Sequence, residues 1–362
     1  MEQPTYATYW GGFRRASSLS HAAARTGELA WKQPLPAAAA GQVRHLFMWD
    51  QSLVVDAPSE LLTYSLDGKM VLQKSKAYGS SPVGRDAILY YQDLNNRLTA
   101  INQRGETSLT NAYIPESMSN EFPVTLLVPR TDDFVAVVQY LGGPHGPAPQ
   151  VYAEGVKYGD RVSIWEHEFD GTQALTPLFI PEIGQLVVFP ADIVRIDALT
   201  GKLISRVPVP VENPVTASAD AAGRLYVTGS VKGQPMMIAL DLEGKELWRW
   251  GLPLSFARWN DTQPTIVGDD ATVLAVTSNS IFIRKNESFT LLFESKDAPA
   301  RFAARLADSS LLVCAGASLY HIAASGEIVY QFDTQDIITA APVVASNGTV
   351  FIATRTELLS IR

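Results

Sequence analysis

Pro214-Val-Thr-Ala-Ser, Asp220-Ala-Ala-Gly223, Arg224-Leu-Tyr-Val-Thr-Gly229, Met236-Met-Ile-Ala-Leu-Asp241, Leu242-Glu-Gly-Lys245 and Glu246-Leu-Trp-Arg-Trp250 follow one another along the chain. They read as strand, tight turn, strand, then after a short loop a third strand, a second turn and an outer strand. β-rich runs bounded by Gly, Asp and Asn turns are hairpin signals. Proline fits the start of an inner strand, where no ladder N–H is yet required.

The same order recurs along the whole sequence. Inner-strand starts stand at Pro82, Pro123, Pro177, Pro214, Pro264 and Pro342, with two degenerate copies at Val43–Leu46 and Phe302–Leu306. Outer-turn glycines follow at Gly27, Gly68, Gly105, Gly159, Gly201, Gly244 and Gly326, with Asn286 in the remaining place. Their spacings are 41, 37, 54, 42, 43, 42 and 40 residues. A period near forty residues with four strands per unit predicts an all-β fold, an eight-bladed β-propeller of four-stranded antiparallel blades.

The two ends predict each other. The last copy stops after three strands, the third being Leu358-Leu-Ser-Ile361, while Thr26-Gly-Glu-Leu-Ala-Trp31 spells an outer strand with no inner strands before it. Pairing 27–31 with 358–361 closes the ring and removes two open sheet edges. The expected organisation is a lead-in segment, residues 1–26, and a single propeller domain, residues 27–362.

Of the 362 residues, 46% are hydrophobic and 18% charged, enough apolar side chain for a large core. The net charge of −8 is spread without blocks and argues against nucleic acid, whose affinity rests on Lys and Arg. The lone cysteine, Cys314 in Leu311-Leu-Val-Cys-Ala-Gly316, excludes an internal disulfide and a Cys-rich metal site. It reads as a small buried hydrophobe. No apolar run is long enough to span a membrane. The opening residues carry no apolar signal region, which predicts a cytoplasmic protein as the sequence stands, and a periplasmic or secreted one if it is a mature form. A monomer is expected.

The outer segments Thr26–Trp31, Ile196-Asp-Ala-Leu-Thr-Gly-Lys-Leu203 and Ala239-Leu-Asp-Leu-Glu-Gly-Lys-Glu-Leu-Trp248 resemble the tryptophan-docking repeat of the pyrroloquinoline-quinone-like, quinoprotein-type eight-bladed propellers. Trp10-Gly-Gly-Phe13-Arg14 is similar to the lead-in common in that family. The resemblance runs from about Trp10 to Arg362. It implies the propeller architecture, in a family holding quinone-dependent dehydrogenases, outer-membrane assembly lipoproteins and many binding propellers. The dehydrogenases are much longer, and many clamp the cofactor under a disulfide between adjacent cysteines. One cysteine cannot supply that, and no Glu/Asn/Asp set stands at family spacing for calcium. The chain therefore reads as a diverged, non-dehydrogenase member with no cofactor. Several repeats lack the docking Trp: Ser205, Leu109 and Tyr330 stand near its place.

Most polar pairs that look catalytic fall at the turn between first and second strands: Asp132-Asp133, Asp220, Asp269-Asp270, Asp308-Ser309-Ser310 and Asn347-Gly348. Asp and Asn there bond their own backbone. Glu166-His167-Glu168 looks like a ligand triplet, but alternate strand residues face opposite ways, so His167 points away from both acids. Gly142-Gly143 has no following Lys or helix signal, and no nucleophile elbow, zincin or Cys-x-x-Cys motif is present. The sequons at Asn260, Asn286 and Asn347 carry little weight, two of them being turns.

Loops joining one blade to the next share a face with loops between second and third strands, a surface suited to binding. Three irregular segments map there: Asn111–Glu121, Tyr140–Val151 and Gly251–Gln263. Tyr113, Glu121, Tyr140, His145, Arg258, Trp259, Asn260 and Asp261 are the candidate contacts for a protein or carbohydrate partner. An aromatic beside a cation and two hydrogen-bonding groups suits recognition, although Trp259 serves equally as packing over a blade junction. The competing reading is an enzyme, a quinone-dependent oxidoreductase or a lyase or hydrolase, with a central-channel site. Its lining is Arg44, Ser81, Glu121, Thr176, Asn213, Gln263, Arg301 and Thr339, equivalent positions at the inner-strand starts.

Overall fold

The structure is a computed structural model and describes residues 26–77, 82–85, 88–95, 97–107, 124–127, 134–141, 150–157, 163–171, 175, 177–180, 182–253, 266–267, 272–285, 287–296 and 298–362. Every helix or strand element among them is a β-strand, and they build eight antiparallel sheets. Sheet one holds β2 (His45–Trp49), β3 (Ser52–Asp56), β4 (Glu60–Ser65) and β5 (Met70–Ser75). Sheet two holds β6 (Val83–Arg85), β7 (Ile88–Gln92) and β8 (Leu98–Asn102), its fourth-strand stretch lying outside the described residues. Sheet three is β9 (Val124–Leu127), β10 (Phe134–Leu141), β11 (Gln150–Lys157) and β12 (Ser163–Asp170). Sheet four is β13 (Leu178–Ile180), β14 (Gln185–Val188), β15 (Asp192–Asp197) and β16 (Leu203–Pro208).

Sheet five, the stretch that decides the fold, is β17 (Glu212–Ala219), β18 (Leu225–Val231), β19 (Gln234–Leu240) and β20 (Glu246–Gly251). Sheet six is β21 (Ile266–Val267), β22 (Val273–Val276), β23 (Ser280–Lys285) and β24 (Ser288–Glu294). Sheet seven is β25 (Ala300–Arg305), β26 (Leu311–Ala315), β27 (Ser318–Ile322) and β28 (Ile328–Asp333). Sheet eight joins β29 (Val343–Val344), β30 (Val350–Ala353) and β31 (Glu357–Ile361) to β1 (Leu29–Pro34).

The N-terminal strand thus completes the C-terminal sheet. Trp31 pairs with Ser360, Lys32 with Leu359 and Gln33 with Leu358. Reciprocal bonds between Glu28 and Arg362 extend the ladder at one end, and Leu35 N donates to Thr356 O at the other. The strand begins two residues later than Gly27 and runs on to Pro34. Gly27 itself has φ +66° and belongs to the turn rather than the extended ladder.

Two compact units emerge, Lys74–Trp250, and residues 26–73 with Gly251–Arg362. In the first, sheets four and five share a core of Leu178, Val187, Phe189, Ala217, Val227 and Ile238. In the second, three such cores join sheet six to seven, seven to eight, and eight to one. β2 and β26 are buried along their whole length, so their side chains are covered on both faces.

Outer strands follow one burial rhythm. β1, β5, β16, β20 and β28 all run exposed, exposed, half-buried, exposed, half-buried, exposed. Their third and fifth side chains share a face, as the period of two requires. In β1 the third residue is Trp31, whose ring lies 2.9 Å from where a Cβ on Gly68 would stand. Gly68 has φ +88°, so both conformation and space demand glycine. The ring of Trp165 in β12 fills the place a Cβ on Gly201 would take in the same way. Sheet four departs from the expected pattern. Ser205 occupies the third place of β16, but it is Val207, two residues on, that lies 2.6 Å from where a Cβ on Gly244 would stand. Tyr330 holds the place in β28 and lies against Gly27; Leu109 falls outside the described residues.

Pro214 does not begin its strand. It sits inside β17, in the interval between Glu212 and Thr216 where the register slips and no ladder N–H is demanded of it.

Candidate functional site

Four of the inner-strand-start positions are described. Arg44 precedes β2 and directs its guanidinium Nη2 to Asp56, 3.4 and 3.3 Å from the two carboxylate oxygens. Asp56 is fully buried at the end of β3, and His45 Nε2 approaches it at 3.9 Å. The Arg44 charge is therefore matched within its own sheet. Thr339 donates its backbone N–H to Ala353 O at 2.8 Å, and its hydroxyl reaches the carbonyls of Ala353 and Thr354, both at 3.3 Å. It ties the entry of sheet eight to β30. Arg301 is exposed at the start of β25. Asn213, in the other unit, has φ 45° and places Nδ2 3.5 Å from Ser230 Oγ. Ser81, Thr176 and Gln263 lie outside the described residues.

Of the partner candidates, Tyr140 stands in β10 opposite Val151 of β11. Tyr113, Glu121, His145, Arg258, Trp259, Asn260 and Asp261 lie outside the described residues. The strands around them fix where their segments attach. Residues 142–149 join β10 to β11, residues 111–121 lead into β9, and residues 254–263 follow β20 and lead into β21. In a sheet whose strands run in order and alternate in direction, the link between second and third strands lies at the end where the first begins and the fourth finishes. Each segment therefore attaches at that end of its own sheet.

The opposite ends hold the acidic turns, and there the described side chains bond their own backbone and close neighbours. Asp220 Oδ1 accepts from the N–H of Ala222 (3.0 Å) and Arg224 (2.9 Å), and Oδ2 from Arg224 Nε (2.5 Å) and Tyr226 OH (3.1 Å). Asp241 caps Glu243 N and Lys245 N, and Asn347 caps Thr349 N. The pairs at 132–133 and 269–270 lie outside the described residues. His167 faces away from Glu166 and Glu168, as expected. Its Nε2 lies 2.5 Å from Gly201 O, and its ring falls between Trp165 and Phe169 at centroid distances of 5.8 and 5.7 Å.

Two polar clusters escape sequence reading. Arg195, in the middle of Asp-Ile-Val-Arg-Ile-Asp, is 1% exposed and reaches out of sheet four to sheet five, bonding Gly223 O at 2.7 Å and Asp241 O at 3.5 Å. Burial pushes its pKa down while Glu243, Asp241 and Asp220 draw it back up. In sheet seven, Ser310 Oγ donates to Asp308 Oδ1 at 2.6 Å and lies 2.9 Å from His321 Nε2. These are the residue types of a hydrolase triad in the wrong order. The hydroxyl stands between carboxylate and imidazole with its proton spent on Asp308, so no base is placed to activate it. The signal for both clusters lies in residues brought in from other strands, which periodicity does not reveal.

Cys314 is buried in β26, and burial pushes its thiol pKa up. Among the described residues no group of three His, Cys, Asp or Glu side chains is placed to share a metal ion, and no helix is long and apolar enough to cross a membrane.

No family model matches the chain, and no curated protein matches it. Solved structures do. A quinohemoprotein alcohol dehydrogenase, ADHIIG of Pseudomonas putida HK5, aligns over 95% of this chain and 78% of its own with a TM-score of 0.66 at 11% identity. That of Comamonas testosteroni aligns over 96% and 79% with a TM-score of 0.63 at 12% identity. BamB of Moraxella catarrhalis aligns over 93% of this chain and all of its own, with a TM-score of 0.57 at 11% identity. The chain has the quinoprotein-like β-propeller fold.

Proposed function

We propose that the eight sheets form one ring, closed by β1 against β31, and that the ring is a non-catalytic binding scaffold for a protein partner. The observation that carries this reading is the placing of the insertions. All three attach at the inner-strand-start end of their sheets, while at the other end the described acidic turns at Asp220, Asp241, Asp308 and Asn347 bond their own backbone and neighbouring side chains. Loops on a rigid scaffold vary without disturbing it. Tyr113, His145, Arg258 and Trp259 are the contacts the reading depends on.

A second reading is favoured by the likeness to two quinohemoprotein alcohol dehydrogenases, a quinone-dependent oxidoreductase with its site at the inner-strand starts. The described residues do not fit a quinone well. Arg44 is already matched by buried Asp56, and the buried Cys314 has no second cysteine to join.

The test is partner capture by the full chain and by the combined alanine variant of Tyr113, His145, Arg258 and Trp259. Capture should be lost with the melting temperature nearly unchanged. Capture that survives the variant, or that maps to the acidic-turn end, contradicts the reading. A glycan array run beside it separates a carbohydrate partner from a protein one, and a spectral shift on adding quinone and calcium supports the oxidoreductase instead.

A further inference from the structure

Sheets seven and eight meet through apolar side chains: Phe302, Leu312 and Leu319 on one side, Val350, Ile352 and Leu359 on the other. One polar column interrupts them. Since Ser310 Oγ gives its proton to Asp308, His321 Nε2 is the donor to Ser310, and Nδ1 carries a lone pair. That Nδ1 is buried without a partner, and so is the hydroxyl of Tyr330. The Tyr330 ring stands edge-on to the imidazole, with centroids 5.1 Å apart, and it also lies against Gly27. Gly27 turns the chain into β1, the strand that completes sheet eight.

We propose that His321 is a proton-operated latch on β1: neutral, it lets Tyr330 and Gly27 stay packed, and on protonation the seam between sheets seven and eight loosens and releases the N-terminal strand.

The cause is a missing acceptor. Protonation places a second N–H at Nδ1, which is buried with no acceptor beside it, and a buried donor without a partner is costly. The charged groups near it do not repair this. Asp308 is engaged through Ser310, Arg305 of β25 bonds Ser309 Oγ at 2.8 Å, and Cys314 of β26 and Tyr330 of β28 both stay protonated, burial pushing the phenol up to about 12. Sheet eight contributes Val350, Ile352, Leu359 and Ile361, with Glu28 and Arg362 bonded to each other beyond Gly27. Burial holds the imidazole below its ordinary value despite the pull of Asp308.

The folded pKa lies below the open-state value of about 6.5, so the open state binds the proton more readily. The latch is fully set above that value and is lost as pH falls below it. Between pH 7.5 and 5.5 opening should rise by up to about tenfold. Asp308, held low by its Ser310 bonds although burial opposes this, acts only below about pH 4, in a separate window.

Native-state hydrogen exchange on the full chain tests this at the two pH values, corrected for intrinsic rates. The amides of Glu28, Arg362 and Leu35 report β1, and those of Val187 and Val194 in sheet four serve as reference. The β1 amides should open more often at pH 5.5, the reference amides should not, and in H321Q the difference should vanish. Equal protection at both pH values, or a pH effect that persists in H321Q, overturns the proposal. If H321Q does not fold, the NMR titration of the native imidazole decides. Protonation in step with β1 opening supports the latch, and protonation near 6.5 with β1 fully protected overturns it.

Discussion

Trp31 gives its indole N–H to the carbonyl of Leu66 at 2.9 Å, a bond from the strand that completes sheet eight to the turn that follows the third strand of sheet one. Trp165 does the same to Ala198 at 3.0 Å, from sheet three to sheet four. In both cases the ring lies against a glycine of left-handed conformation, Gly68 or Gly201. The aromatic, the glycine and the carbonyl form one joint between adjacent sheets.

Trp31→Phe keeps much of the packing and leaves the Leu66 carbonyl without this donor, so it should cost about 1 kcal/mol. Trp31→Ala should cost about 3 kcal/mol. Gly68→Ala, with φ +88° and the ring at 2.9 Å, should lose more than about 1 kcal/mol. Urea denaturation midpoints check the order, and a Gly68→Ala variant as stable as the parent removes the joint from the account.

Arg195→Met retains volume and length but removes the donors to Gly223 O and Asp241 O. A hydrogen bond from a charged group contributes about 1.5–3 kcal/mol, so a loss in that range is expected. Thermal unfolding measures it, and a neutral substitution shows that Arg195 does not join the two sheets.

Cys314 is 1% exposed with its thiol pKa pushed up, so the thiolate that reacts is scarce and shielded. Ellman's reagent should label it at the rate of unfolding and no faster. Rapid labelling of the native chain would show sheet seven to be open.

A chain truncated to begin at Leu35 lacks β1 and leaves β31 as an open edge. It should lose at least about 3 kcal/mol through the apolar burial of Trp31 and its neighbours, and it should aggregate. A truncation removing only the first nine residues should change little. Light scattering with calorimetry separates the two, and a monomeric Leu35 chain that melts like the parent contradicts closure by β1.

The turns were legible because their chemistry is local. Gly27, Gly68, Gly105, Gly201, Gly244 and Gly326 all take positive φ, as their spacing predicts. The pairing of β1 with β31 was legible because an outer-strand spelling without inner strands has one place to go. Arg195 was not, since a charged residue in an alternating strand reads as solvent-facing. Only the turn carbonyls of the next sheet make it a buried one. His321 was missed for the same reason, its partner Ser310 lying eleven residues back across a hairpin. Pro214 misled because a register slip hides the cost of proline within β17. The partner-binding candidates stand out in the sequence by loop irregularity alone, which locates an insertion without saying what it meets.

The binding-face reading is tested most directly by photocrosslinking in the presence of the captured partner. Benzoylphenylalanine is placed in turn at Tyr113, His145 and Trp259, and at Ala222, Ser309 and Ser346 in the acidic turns. Crosslinks at the first three positions and none at the others are predicted. Crosslinks confined to the acidic turns would contradict the account.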